Sequence, residues 1–518
     1  MSDYEYILIG SGVAGSTIAA KLLEADPTTP ILMLEAGPQV PMKDRRYWWD
    51  YVLNRRKQPY DQCEDRDGDN PSVGKTEWHS SGSRLMMYGG STVHWGGWSM
   101  RFKPEDFYLK TNTGQGGDWP YDYETLEPYY CRADEYLSVG GNDNDPWRSK
   151  PYPLPPYPWT VSDGEMIQAF NELGITPGRM PLARYRKCMA TGTCKYCPFG
   201  ARFSGALILD DLLSEPAYTN FDFIGSAPVT QLVVEDSKSR VTGVTYIDPG
   251  TGATATARGQ RIIICSGAYE APKLLMASVS SQWENGIGND HDLVGRYPIS
   301  HPFLSVAGTT PKNEERWIQE YDFPTLMSRT YDTEQYQQQG KIFLMKTANT
   351  PNVDIAQHMI AGKSRREIDA ILTGPRTIQL SAFMEEKGQY DNRFTIGEGT
   401  TRFGLPRTRI DFAYTDDFVA NANKNLDLME AVISTMGYTN IVREIGDQDG
   451  HHTSSTCRMG KDPTQGVVDA DLKVFGTDNL YVCSNAAHPT CAAVNPTLTL
   501  VAVTLKLTDH LLAEAAQP

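Results

Sequence analysis

Apolar and polar positions change rhythm several times along the chain, and each change suggests an element. Tyr6-Ile7-Leu8-Ile9 is a short continuous apolar run, which reads as a buried strand. Ser16 to Glu24 has helical spacing, and Pro30 to Glu35 is a second apolar strand. Together they predict a strand–helix–strand unit over residues 6–35. Residues 41–79 are polar and aromatic with little periodicity, and predict an excursion over the surface. Residues 143–160 hold the run Pro151-Tyr152-Pro153-Leu154-Pro155-Pro156-Tyr157-Pro158-Trp159. That proline density forbids a helix and predicts an extended wrapping loop. Between residues 221 and 267 three apolar runs follow one another, at Gln231–Val234, Val241–Tyr246 and Arg261–Cys265. They predict a hairpin or three-stranded meander feeding a buried strand. Residues 311–449 have a different texture, with polar strands and a helix near Phe418–Met436, and suggest a second domain. After His451 come more short strands and a closing helix at Thr497–Ala515.

Composition narrows the partners more than the fold. A length of 518 residues admits two to four domains. The formal net charge of −16 repels phosphates and anionic lipid, so neither nucleic acid nor a membrane surface is a favoured partner. No apolar stretch is long enough to predict a membrane span. The chain enters its first strand without a basic segment and apolar core, so no signal peptide is expected on it. Nine cysteines, an odd number, argue against a disulfide framework. Six are dispersed, at 63, 131, 265, 457, 483 and 491, and read as small buried hydrophobes. The other three are clustered.

Gly10-Ser11-Gly12-Val13-Ala14-Gly15 fits the G-x-G-x-x-G pattern directly after the first strand. Gly10 suits the tight turn, Gly12 lets a pyrophosphate approach the backbone, and Gly15 lets helix and strand pack closely. Glu35, at the end of the second strand, is placed to bond a ribose hydroxyl. This predicts a dinucleotide without choosing between FAD and NAD.

A second glycine-rich string, Met86-Met87-Tyr88-Gly89-Gly90-Ser91-Thr92-Val93-His94-Trp95-Gly96-Gly97, can run against a flat ligand. Ser91 and Thr92 can bond phosphate or ring atoms. Near the C-terminus stand His451-His452-Thr453-Ser454-Ser455-Thr456-Cys457-Arg458-Met459-Gly460 and Val494-Asn495-Pro496-Thr497-Leu498-Thr499. These strings resemble the flavin-covering, histidine and Asn-Pro-Thr segments of the glucose–methanol–choline (GMC) oxidoreductases. Matches are spread from residue 6 to residue 500.

The resemblance implies an α/β fold. A Rossmann-like FAD-binding domain would span 1–300 and 446–518, interleaved with a substrate-binding domain on an antiparallel sheet at 301–445. It implies FAD contacts at Gly89, Gly90, Ser91, Thr92, Val229, Gly267, Asn485, Pro496 and Thr497. At the position of His94 the resemblance implies either a covalent bond to the flavin 8α-methyl or a histidine packed beside the ring. His452 aligns with the histidine beside flavin N5, and Asn495 with its partner, while His451 reads as structural. An imidazole can accept an alcohol proton near neutrality, and an amide can orient the hydroxyl. Ser455 stands where the family usually has glycine, which leaves the local pocket wall open.

Cys188, Cys194 and Cys197 fall within residues 184–205, and Pro198 follows the last of them. Closely spaced thiolates suit iron–sulfur ligation, with zinc, or unligated or disulfide-bonded cysteines, as the other readings. The loop is similar to that of bacterial FAD-dependent glucose and fructose dehydrogenases, which carry a [3Fe-4S] cluster. Their last two cysteines have three residues between them, where Cys194 and Cys197 have two, so a [4Fe-4S] cluster with a remote fourth ligand stays open. A cluster passes electrons singly, which favours a dehydrogenase over an O2-using oxidase of the pyranose oxidase type. The expected function is oxidation of a sugar or glycoside hydroxyl, with electrons relayed to a cytochrome c, quinone or dye. Relatives of this kind pair with a small export subunit, which implies a periplasmic place by co-export, and otherwise a cytoplasmic one.

Overall fold

A computed structural model describes residues 4–41, 61–142, 146–184, 188–189, 197, 199–235, 239–310, 321, 323–347, 352–446 and 448–516. The first strand, Tyr4–Ile9, pairs in parallel with Ile31–Leu34 on one side and with the end of Thr254–Ile264 on the other. Phe221–Ile224 and Leu480–Val482 extend this parallel sheet at its two flanks. Tyr6 through Ile9 and Ile31 through Leu34 are buried on both faces, as a parallel sheet covered by helices requires.

The predicted meander is present and continuous with that sheet. The early half of Thr254–Ile264 pairs antiparallel with Val241–Ile247, which pairs with Val229–Val234. Burial along the long strand explains its mixed pattern. Exposed and buried residues alternate until Arg261, and Ile262, Ile263 and Ile264 are then all buried. Two helices cover the sheet, Val13–Ala25 and the closing helix Thr497–Ala515, whose bounds are those predicted. The closing helix is buried from Leu498 to Leu505, consistent with its apolar residues on every side.

A second sheet is wholly antiparallel. Its order is Thr439–Ile445, Phe303–Thr309, Thr377–Met384, Ile342–Thr347, Leu326–Ser328 and Gly178–Arg179. Its side chains alternate between two cores. Leu304, Val306, Leu344, Leu380 and Ala382 pack beneath the helices Val161–Glu172 and Asp416–Thr435. Phe303, Phe343, Met345 and Phe383 point the other way, into the core of the first sheet. The Asp416–Thr435 helix is the one predicted near residues 418–436. Thr415 caps it by accepting the Phe418 N–H at 3.1 Å, and Asp416 and Asp417 complement its positive end.

A buried ion cluster ties the layers together. Lys341 pairs with Asp106 and lies 3.2 Å from Asp332, with all three side chains fully buried. Removing one partner of such a pair costs about 3–5 kcal/mol, because the other charge stays buried.

The predicted surface excursion at 41–79 needs correction at its far end. Trp78 is 1% exposed and sits between Phe394 and Phe412, at ring distances of 5.1 and 4.9 Å. Its indole N–H donates to the Tyr269 hydroxyl at 2.8 Å. The strand Trp78–His79 pairs with Gln448–Asp449, directly ahead of His452. An aperiodic segment says nothing about partners hundreds of residues away, and these partners bury it. Residues 42–60 of that segment lie outside the described residues. Residues 146–160 run without helix, as their prolines require.

Candidate active site

The parallel strands end on a cavity that reaches solvent. Ile9, Leu34, Cys265 and Ser484, at or just beyond the strand ends, all line it. Open α/β sheets bind ligands at this edge. Gly10, Gly12, Val13 and Ala14 line it too, and no side chain caps the helix that starts at Val13. Its free N–H groups and positive end suit a phosphate. Gly15 does not line the cavity but shapes it, because a Cβ there would lie 2.1 Å from the Gly10 carbonyl oxygen. The Glu35 carboxylate accepts from the Ser11 N–H at 3.0 Å, the Ser11 hydroxyl at 2.7 Å and the Gly37 N–H at 2.9 Å. It therefore holds the glycine turn, and each oxygen retains acceptor capacity for a ribose hydroxyl.

The second glycine segment closes over the first. A Cβ at Gly90 would come within 2.8 Å of the Gly12 Cα. Thr92 donates its hydroxyl proton to the Gly89 carbonyl and accepts the Gly205 N–H, both at 2.8 Å. Its proton is thus committed to the loop rather than to a ligand. Ser91 accepts the Leu85 N–H at 3.1 Å and keeps its own proton. Gly90, Ser91, Thr92, His94, Val229, Gly267, Asn485 and Thr497 line the cavity, while Gly89 and Pro496 stand behind it. His94 lies 3.8 Å from the Glu64 carboxylate, and burial pulls its pKa down to about 4. Asn485 Oδ1 is buried with no hydrogen-bond partner among the described residues. Pro496 offers no side-chain cap to the closing helix, whose positive end also meets the cavity at Thr497. An elongated dinucleotide would suit this lining, with its central pyrophosphate near Gly12 and the polar atoms of one ring toward Asn485 and Thr497.

At that far end stand His452 and Asn495. The Asn495 Nδ2 lies 2.9 Å from His452 Nε2. His452 Nδ1 lies 2.8 Å from His301 Nδ1. Burial holds the His452 imidazole well below its usual pKa, and the neighbouring His301 and His451 add to this. The ring is thus neutral near neutrality and able to accept a proton. Asn495 Oδ1 is buried without a partner among the described residues. Trp95, Trp98, Phe303 and Phe383 line the same end. Ser455 does not line the cavity, and its φ of +75° explains why glycine suits the position.

The GMC oxidoreductase family models match residues 4–302 and 389–504. The chain belongs to the GMC oxidoreductase family. It is 24% identical to the fructose dehydrogenase large subunit of Gluconobacter japonicus, across 99% of this chain and 98% of that one. It is 26% identical to a 2-methyl-1,2-propanediol dehydrogenase of Mycolicibacterium austroafricanum, across 98% and 95% of the two chains. A crystal structure of pyridoxine 4-oxidase from Mesorbium loti shares the fold, with TM-score 0.66, 19% identity and 99% of both chains covered. As a GMC oxidoreductase the chain is an FAD flavoprotein acting on CH–OH groups.

The cysteine loop of this GMC oxidoreductase is described only in part. Cys188 and Cys197 are half-buried, and Cys194 lies outside the described residues. No cluster of three metal-ligating side chains occurs among the described residues. The dispersed cysteines are all buried and unpaired, as expected. No helix among the described residues is long and apolar enough to cross a membrane. Sequence reasoning missed His301 and Phe383 as site residues. Only the alternation of strands in the second sheet could have raised them, and it does not say which face meets the cofactor.

Proposed function

We propose that this GMC oxidoreductase is a dehydrogenase that converts a sugar or glycoside hydroxyl to a carbonyl. The observation that carries the reading is the His452 imidazole, its Nε2 2.9 Å from Asn495 Nδ2, on the wall of the cavity at the strand ends. A substrate hydroxyl that docks between them gives its proton to His452 Nε2. In exchange its oxygen receives the Asn495 N–H, so both groups stay satisfied while the oxygen gains negative charge. FAD, when bound, supplies the two-electron acceptor for the hydride leaving carbon. Trp95, Trp98, Phe303 and Phe383 support a pyranose ring as the substrate, because polarised ring C–H groups sit well on the negative aromatic face.

Cys188, Cys194 and Cys197 are assigned to an iron–sulfur cluster of the [3Fe-4S] type, on the strength of their spacing and of Pro198. Electrons would leave through it to a cytochrome or quinone. A small export subunit is the proposed partner, supported by a relative that is itself a large subunit. That partnership implies a periplasmic location. A neutral His94 is the nucleophilic form of imidazole, which supports a covalent link to the flavin.

Anaerobic purification followed by a panel of sugars tests the reading. Bleaching of the flavin by aldopyranoses, with an iron–sulfur EPR signal and about three irons per FAD, is the expected result. Full activity without iron or sulfide, with peroxide formed in air, would make the protein an oxidase instead.

A further inference from the structure

The cavity wall holds a second histidine that proton abstraction by His452 does not by itself require. His301 precedes Phe303, the first residue of its strand, by two positions. Both side chains line the cavity, and His301 is 1% exposed. Its ring stacks on Phe383 with centroids 5.2 Å apart and an interplanar angle of 27°. Its Nε2 lies 3.1 Å from the Cys491 carbonyl oxygen and 3.0 Å from that of Ala492. Carbonyl oxygens only accept, so Nε2 carries a proton. In a neutral imidazole the other nitrogen is then the acceptor. That acceptor, Nδ1, faces His452 Nδ1 at 2.8 Å. His452 must therefore carry its proton on Nδ1 and its lone pair on Nε2. The lone pair meets the Asn495 amide at 2.9 Å. Two backbone carbonyls thus dictate, through one intermediate ring, which nitrogen of His452 is basic.

We propose that His301 is a positioning residue that locks His452 in the tautomer with Nε2 basic, and that it shares the charge formed there. The proposal rests on the base role of His452 given above. When the substrate O–H proton reaches Nε2, His452 becomes an imidazolium. Its Nδ1 proton can then shift to His301 Nδ1, leaving the charge on a ring whose Nε2–H is held by two carbonyls. FAD, when bound, would supply the acceptor for the hydride leaving that carbon as its C–O bond becomes a carbonyl, so one proton and one hydride are accounted for.

The surroundings make a neutral histidine the orienting partner rather than a carboxylate. His451 adjoins His452 in sequence, and the Cys491 thiol lies 3.6 Å from the His452 carbonyl oxygen. The Phe383 ring packs against His452 at 4.9 Å. Glu386 accepts the Ser300 N–H at 2.9 Å and a Gln448 amide proton, and the Ser300 hydroxyl accepts the His452 N–H at 3.2 Å. Burial pushes the Glu386 carboxyl up to about 8, so this neighbour is mostly uncharged near neutrality.

Selective 15N labelling of histidine reads the tautomer directly, with and without FAD reduction. The expected result is Nδ1–H on His452 in the wild type, and a loss of that preference in His301→Ala. Flavin reduction by sugar should fall by about 10²-fold in His301→Ala, the low end of what a placed base contributes. His301→Gln, whose amide oxygen can still accept from Nδ1–H, should recover most of that rate. His301→Asp places a carboxylate beside the ring and should move the acid limb of the pH profile upward. An Nε2–H tautomer in the wild type, or a His301→Ala rate within about threefold of it, overturns the proposal. So does an acid limb that stays in place in FAD-loaded His301→Asp. Failure of the sugar reading is distinguishable, since flavin would then stay oxidised with every sugar while the NMR tautomer still reports on His301.

Discussion

Replacing His452 by Gln removes the proton acceptor while leaving an amide that can still bond Asn495. The structure sets the expected size of the effect. His452 Nε2 is 2.9 Å from Asn495, and no other imidazole approaches Asn495 that closely among the described contacts. A positioned base contributes roughly 10²–10⁴ in rate, or about 3–5 kcal/mol of barrier. The burial that lowers the His452 pKa also fixes the sign of the pH dependence. The neutral, working form is present at neutral pH and is lost only as pH falls below the ordinary imidazole range. Wild-type flavin reduction should therefore be flat near neutrality and decline on the acid side. In His452→Gln that acid limb should vanish, and the residual rate should rise with hydroxide. Anaerobic stopped-flow reduction at saturating sugar, from pH 5 to 9, measures both. The visible flavin spectrum checks that FAD remains bound. A loss of less than about tenfold, with the acid limb intact, would refute the assignment of the base.

Three further outcomes follow from the geometry. Gly15→Ala should purify with little FAD, because its Cβ must displace the helix from a carbonyl oxygen 2.1 Å away; full flavin content after release into denaturant would count against the cradle. Ser455→Gly should stabilise the protein by about 1 kcal/mol, since it relieves a left-handed backbone at φ +75° and removes a buried hydroxyl without a partner among the described residues. An unchanged or lower urea midpoint would contradict this. His488 is fully buried, neither ring nitrogen has a partner among the described residues, and burial pulls its pKa down to about 3. The unfolded chain protonates it first, so stability is lost as pH falls below about 6.5, by up to about 1.4 kcal/mol per unit. His488→Leu should flatten that decline; identical slopes between urea midpoints at pH 7 and 5 would disprove it.

Local patterns carried much of this molecule. The apolar run at residues 6–9 is buried on both faces, and a sequence shows that directly because every position is apolar. The glycine turn and the closing helix were legible for the same reason, since steric need and helical period act over a few residues. His452 and Asn495 were legible through their surrounding strings, although they lie 43 residues apart. Other features depend on contacts that no short period encodes. The burial of Trp78 depends on Phe394, Phe412 and Tyr269. Alternation in residues 342–345 and 378–384 announces two faces, but only the packed sheet sends Phe343 into the core of the first sheet and Phe383 onto the cavity. Local patterns were enough for the glycine turn, the pairing of His452 with Asn495 and the elements that bear them. It took the folded chain to bring His301 onto His452 across 151 residues and to leave His452 Nε2 facing Asn495. A proton's place on a ring is set by the atoms that touch it, and those atoms come together only when the chain has folded.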